Sequence, residues 1–179
     1  MSKLSYFLLF LLFIQFMSCD NSEYITSVNI NDRVPIGIAK DFEMIYTDSM
    51  KTRSLIKAPT HLDFSNHPIN YFEFIDGIEI IIFDDNRTTT ITSDYAILYN
   101  AFRLIDFQGN VVIISSSGET LFSDQLYFDS ENEWLFTEGK FQYTDENNNI
   151  IANRLDSNRE FSDLLTGSLV GSINFSDNN

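Results

Sequence analysis

Apolar and polar residues alternate with period two along most of this chain. Phe42, Met44 and Tyr46 alternate with Glu43, Ile45 and Thr47, the pattern of a strand whose successive side chains point to opposite faces. Leu55 to Ala58 starts a return strand, which Pro59 confines to an edge or a bulge because proline has no N–H for the ladder. Tyr71-Phe72-Glu73-Phe74 and Ile78 to Phe83 carry the aromatic and β-branched residues that suit a pleated surface. Arg87 to Ser93, Arg103 to Phe107, Asn110 to Ile114, Glu119 to Phe128 and Trp134 to Tyr143 continue the pattern. Turn-forming clusters recur about every 10–15 residues, as expected of an all-β sandwich, roll or barrel. Residues 61–70 read as a loop, Asp163-Leu164-Leu165 as a short helix ended by Gly167, and 168–175 as a terminal strand.

An echo thirty residues long overlies the alternation. Ser93-Asp94-Tyr95 recurs as Ser123-Asp124-Gln125, and Gly109 and Gly139 each follow the repeated aspartate by fifteen residues. A weaker third copy runs from Ala152-Asn153 through Leu155-Asp156-Ser157 to Gly167. Such periods mark one supersecondary unit stacked on copies of itself. Each copy lacks helix signals, so the unit is a pair of strands turned back on each other.

The first residues follow a different rule. Lys3 precedes an apolar run from Tyr6 to Phe16, broken only by Gln15. The run is shorter than the roughly 20 apolar residues that span a bilayer and reads as the h-region of a secretory leader. Cys19, the chain's only cysteine, follows Ser18 at the expected cleavage point. That arrangement resembles a bacterial lipobox, in which the cysteine is acylated and becomes the new N-terminus. The alternatives are an uncleaved signal anchor and a plain secretory leader. We therefore divide the chain into a signal peptide over 1–18, an acylated N-terminus and tether over 19–40, a β domain over 41–175 and a tail over 176–179. With Cys19 acylated the domain folds without disulfides. Its length is ample for a self-sufficient core.

Eleven basic residues against 26 acidic ones give a net charge of −15. Such a surface repels nucleic acid and anionic headgroups, so an anionic lipid ligand would be held by its apolar part. No Gly-x-Ser-x-Gly elbow, Gly-rich phosphate loop or Walker-type lysine is present. His61, Asp63 and His67 fit no standard zinc spacing. The acidic groups Asp84-Asp85, Asp129 with Glu131 and Glu133, and Asp145-Glu146 fall in turns, where they are solvated rather than tuned for catalysis. No cofactor and no metal are expected, and the chain does not read as an enzyme. Seventeen Phe and eight Tyr serve core packing or line an apolar cavity.

Several segments resemble the LptC family. They are Phe42 to Ser49 with Leu55-Ile56-Lys57-Ala58-Pro59, Ser93-Asp94-Tyr95-Ala96 leading to Gly109-Asn110-Val111-Val112, Gly118-Glu119-Thr120-Leu121 through Asp124-Gln125-Leu126-Tyr127, Asn132 to Thr137, and Leu155 to Arg159 with Phe161-Ser162. The thirty-residue echo resembles the OstA-type repeat shared by LptA, LptC and the N-terminal domain of LptD. The resemblance implies an antiparallel β-jellyroll, a V-shaped OstA-like β-roll with an apolar groove. It implies a non-enzymatic lipopolysaccharide transport component that receives lipopolysaccharide from the inner-membrane transporter of LptB, LptF and LptG. The lipid A acyl chains then pass along the groove to an LptA-like periplasmic bridge. Family members with a known anchor carry an uncleaved transmembrane helix, whereas this chain resembles a lipoprotein. Asp20 after Cys19 resembles an inner-membrane retention signal, which implies a periplasmic protein lipid-anchored to the inner membrane.

On that reading Ile80, Ile82, Val111, Ile113, Leu126, Phe128, Leu135 and Phe141 are the candidates for the lipid groove. Phe42, Met44 and Tyr46 are the candidate edge toward the transporter. Leu169, Val170, Ile173 and Phe175 form the candidate edge toward the LptA-like partner, by strand addition. Alternation supports facing sets only, since a slip of one residue inverts them. A rival reading is a β-sandwich cell-surface lipoprotein that binds carbohydrate or protein. It would need an exposed aromatic platform and no internal groove. A β-roll hydrolase would need convergent titratable residues in a pocket.

Overall fold

The computed structural model describes residues 33–84, 87–169 and 172–173. The leader over 1–18, Cys19, most of the tether, Val170, Phe175 and the tail lie outside the described residues. Twelve strands form one antiparallel sheet. They are β1 (Gly37–Asp48), β2 (Lys51–Asp63), β3 (Tyr71–Phe74), β4 (Ile78–Phe83), β5 (Thr88–Ser93), β6 (Tyr95–Tyr99), β7 (Leu104–Ser115), β8 (Thr120–Asp129), β9 (Trp134–Thr144), β10 (Asn148–Asn158), β11 (Leu164–Thr166) and β12 (Ser172–Ile173). A 3₁₀ turn covers Asn100–Phe102. The fold is all-β, as expected from the alternation, and jellyroll-like, as the family resemblance implies.

The sheet is bent into two halves along a line of corners. In one half β2 pairs with β4, and β5 with β7 through Thr89 to Thr92. In the other half β2 pairs with β3, and β6 with β7 through Tyr95 to Tyr99. Strands β7, β8, β9 and β10 run through both halves, and each pairing between neighbours shifts register where they cross. β3 and β4 are one such strand interrupted at Asp76-Gly77, and β5 and β6 one interrupted at Asp94.

The corners explain the thirty-residue echo. Ser93 donates its hydroxyl to the carbonyl of Tyr95 at 2.8 Å, and Ser123 donates to the carbonyl of Gln125 at the same distance. Each serine closes a local loop over the following aspartate, and there the buried positions change parity. Leu121 and Ser123 point inward before the corner of β8, and Leu126 and Phe128 after it. The extra residue that causes the switch is a β-bulge, which bends a strand and re-aims its side chains. The echo's glycines lie in the facing strand. Gly109 has φ +73° and accepts the Asp94 N–H at its carbonyl, and a Cβ there would sit 3.1 Å from Asp94 Oδ2. A Cβ on Gly167 would lie 2.8 Å from the carbonyl oxygen of Asn153.

Inward-facing residues line up across strands. One row runs Met44, Ile56, Ile80, Ile91, Ile113, Leu121, Tyr143 and Ile150 across the first half. Another runs Leu98, Ile105, Phe128, Leu135, Ser157 and Leu164 across the second. Both rows feed one hydrophobic cluster, so the two halves face each other across a shared core.

Three expectations change. β1 begins at Gly37, and β2 extends to Asp63, so His61 and Asp63 belong to a strand and the loop begins at Phe64. His61 is the reason, because its ring stacks on Phe42 at 4.3 Å and packs against Phe72 and Phe74. Leu164-Leu165 is strand β11 rather than a helix, since Leu164 pairs with Ser157 and packs against the core. Arg103 to Phe107 and Asn110 to Ile114 are the two arms of the single strand β7, joined through its bulge.

Pro59 sits where β2 passes from β4 to β3, and it forms no registered pair on either side. Its missing N–H therefore costs no ladder bond. Opposite it, Asp41 takes a left-handed φ of 50°, a conformation Asp tolerates better than most residues.

Candidate functional site

Edge strand β1 and the outer ends of the two halves enclose a cleft of about 450 Å³. Its floor is apolar. β2 supplies Ile56, β4 Ile80 and Ile82, β6 Leu98, β7 Ile105 and β8 Phe128. Met44 and Tyr46 form a half-exposed lip on β1. Arg53, Arg103 and Glu133 stand around the rim, and the buried Arg159 also lines the cleft. The period-two pattern makes this arrangement, since Ile80, Ile82 and Phe128 face inward while Glu79, Ile81 and Tyr127 face away. Such a cleft can bury a hydrocarbon chain, at roughly 25 cal/mol per Å² of apolar surface removed from water, and leave a polar head at the rim.

All eight groove candidates are buried on the inward face. Ile80, Ile82 and Phe128 reach the cleft, while Ile113, Leu126 and Leu135 are sealed in the core. Val111 and Phe141 border a second cleft of about 530 Å³ at the corner, beside Asn110, Ser123, Asp124 and Lys140. The alternation missed Ile56, Leu98 and Ile105, which share register rows with the candidates on their own halves.

The candidate edges separate as well. Among the described residues β1 pairs only with β2, and on its outer side Ile38, Ile45 and Tyr46 are exposed. Phe42 turns inward against His61 and Phe74. At the opposite edge Leu169 is exposed and bridges Ala152. Ile173 of β12 pairs through its backbone with Asn148 of β10.

Arg159 was assigned no role by the sequence, although it lay in a segment resembling LptC. Its guanidinium is 5% exposed and contacts Asp84 at 2.6 Å, Glu160 at 3.2 Å and Glu133 at 3.4 Å. Burial alone would lower its pKa, but Glu133 and Asp84 outweigh burial and hold it above its ordinary value. His61 is the converse case. Burial among aromatic rings lowers its pKa, Asp63 only partly opposes this, and its Nε2 has no hydrogen-bond partner.

On the outer face Asp106 accepts hydrogen bonds from Gln108 and Gln125, and Gln125 also donates to the Tyr127 hydroxyl, whose ring stacks on Phe136. These bonds brace β7 against β8 behind the cleft. The turn carboxylates are similarly occupied. Asp129 accepts from the side-chain amide of Asn132 and from the backbone of Asn132 and Glu131, which lowers its pKa; burial would raise that of Asp145, but the side-chain amide of Asn148 and the backbone of Asn147 and Asn148 outweigh it and lower the pKa. Among the described residues, no group of three or more His, Cys, Asp or Glu is placed to hold a metal ion. No described helix is long and apolar enough to cross a membrane.

The family profile described as "Lipopolysaccharide-assembly, LptC-related" matches residues 6–163, most of the chain. The chain belongs to the LptC family. LptC proteins are components of lipopolysaccharide transport that work in the periplasm in association with the inner membrane. Their partners in general are lipopolysaccharide and the Lpt transporter and bridge. LptC is not known as a family of enzymes. A comparison with curated proteins finds no match.

Proposed function

We propose that this LptC protein is a non-enzymatic conduit that receives lipopolysaccharide from an LptB/LptF/LptG-like transporter and passes it to an LptA-like bridge. The apolar cleft floored by Ile56, Ile80, Ile82, Leu98, Ile105 and Phe128 carries the reading. There Ile56 and Ile80 of the first row and Leu98, Ile105 and Phe128 of the second border open space, and Arg53, Arg103 and Glu133 keep their charge at the mouth. Acyl chains enter there, so the net negative surface does not oppose binding of an anionic lipid whose phosphates stay at the rim. The outer edge of β1 receives the transporter, and Leu169 with β12 receives the bridge by strand addition. Residues 1–18 are a cleaved leader. An acylated Cys19 holds the domain at the inner membrane through the tether, since stable anchoring takes more than one acyl chain.

The test is equilibrium binding of fluorescent lipopolysaccharide to the full chain. Phe128→Glu, which places a charge on the cleft floor, should weaken binding at least about tenfold, since desolvating an unpaired carboxylate costs several kcal/mol. Ile114→Glu on the exposed outer face of the same sheet should leave it unchanged. Equal effects of the two substitutions on folded proteins would contradict the assignment.

A further inference from the structure

The second inward row is accessible at its ends and sealed in its middle. Phe128 borders the cleft, Leu164 is half-buried at the far edge, and Leu135 and Ser157 between them are 0% exposed. The segment Arg159–Phe161 leaves the end of β10 in one half and reaches across to the other. Arg159 ties to Asp84, the residue that follows β4 in the opposite half. Its backbone N–H donates to the Glu133 carbonyl at 3.0 Å, which holds the crossing against the start of β9. Phe161 inserts its ring into the shared core, 5.0 Å from Tyr143 on the opposite half, and does so with a left-handed φ of 57°.

That φ is uncommon for a bulky aromatic residue and persists only where surroundings impose it. Here the Phe161 N–H donates to the Asn158 carbonyl, and the Asn158 side chain ties to Ser162 and to the Asp163 N–H. The crossing is thus a braced strap, joined to the opposite half by one ion pair and one ring.

We propose that the strap Asn158–Asp163 is a gate across the groove, with Arg159–Asp84 as its latch and Phe161 as its plug. The inference rests on the conduit reading above. With the latch closed, the cleft is blind. An acyl chain entering past β1 meets Arg159 and Glu133, and the row beyond Phe128 is covered. With the latch open, Phe161 withdraws, and the row from Phe128 to Leu164, apolar but for Ser157, becomes one track leading to the β11 and β12 edge. Cargo would then reach the partner edge only after the strap yields, which makes loading and release separate steps. Glu133 and Glu160 keep the buried guanidinium compensated when Asp84 is lost, so the latch can part without stranding a bare charge in the core.

The experiment uses in-cell photocrosslinking of the full-length chain, with blots probed for lipopolysaccharide. A photoreactive residue is placed at Phe128, before the gate, or at Leu164, beyond it. Each is combined with the native latch, with Asp84→Asn, or with Phe161→Ala. The native chain should give a strong adduct at Phe128 and a weak one at Leu164. Asp84→Asn should raise the ratio of Leu164 to Phe128 adduct at least about threefold, and Phe161→Ala should raise it independently. Adduct at Phe128 with a ratio that neither variant moves would overturn the gate and leave the conduit standing. No adduct at Phe128 in the native chain would overturn the conduit and the gate with it.

Discussion

Gly109 and Gly139 occupy the same place in the thirty-residue echo, yet the bent sheet asks different things of them. Gly109 has φ +73°, and an added Cβ would lie 3.1 Å from Asp94 Oδ2 and 3.2 Å from Asp94 Cβ. A left-handed conformation costs an L-residue about 1–2 kcal/mol. Alanine recovers about 0.4–1 kcal/mol by restricting the unfolded chain. The contact with Asp94 adds to the cost, because its Cβ is fixed to a backbone that is itself bonded to the Gly109 carbonyl. Gly109→Ala should therefore destabilise the domain by about 1–3 kcal/mol once that crowding is included. At about 2–4 °C per kcal/mol for a domain of this size, the melting temperature should fall by about 2–12 °C. Gly139 has no positive φ, and its Cβ would meet only the Thr137 hydroxyl at 3.3 Å. Gly139→Ala should stay within about 0.5 kcal/mol of the parent, the range of substitutions away from special features. Thermal and urea unfolding followed by circular dichroism measure both. If Gly139→Ala were as damaging as Gly109→Ala, the two glycines would be equivalent and the account of the corner wrong.

Three further outcomes are expected. Burial lowers the pKa of His61 from 6.5, so the unfolded chain binds more protons just below that value. Stability is then complete above 6.5 and lost as pH falls toward the folded pKa; the urea midpoint should drop between pH 7.5 and 5.5, and less so in His61→Phe, whereas parallel profiles would remove His61 from the explanation. Leu135→Ala, in a site closed to solvent, should cost about 2–5 kcal/mol, while Ile82→Ala at the cleft should cost less and reduce lipopolysaccharide binding more; unfolding and binding measured together would expose a reversed order. Leu169→Pro should abolish capture of an LptA-like partner while circular dichroism stays unchanged, and a folded variant that still binds would rule out docking at this edge.

Most of the strands were legible because alternation is a local property. Ile80 with Ile82, Val111 with Ile113, and Leu126 with Phe128 could be assigned to facing sets from spacing alone. The corners were not legible, because a bulge exchanges the faces of one strand without disturbing its composition. The echo marked where they lie, but the Ser93 and Ser123 hydroxyl bonds that shape them appear only in three dimensions. Leu164-Leu165 looked helical because two adjacent leucines carry no period, and pairing with β10 decided the matter. His61 looked like a loop residue because its aromatic neighbours come from two other strands, β1 and β3. The division of the groove candidates into core and cleft depends on what covers each one. Arg159, read alone, suggests a solvated turn, whereas its guanidinium is buried among Asp84, Glu133 and Glu160.

The measurement that bears most directly on the conduit is photocrosslinking from Ile82 and Phe128 in living cells, with and without depletion of ATP. The account predicts a lipopolysaccharide adduct at both positions that fades when ATP is depleted, and none from the outer-face position Ile114. A well-expressed, folded protein that gives no adduct from either cleft position, or an equal one from Ile114, would contradict it.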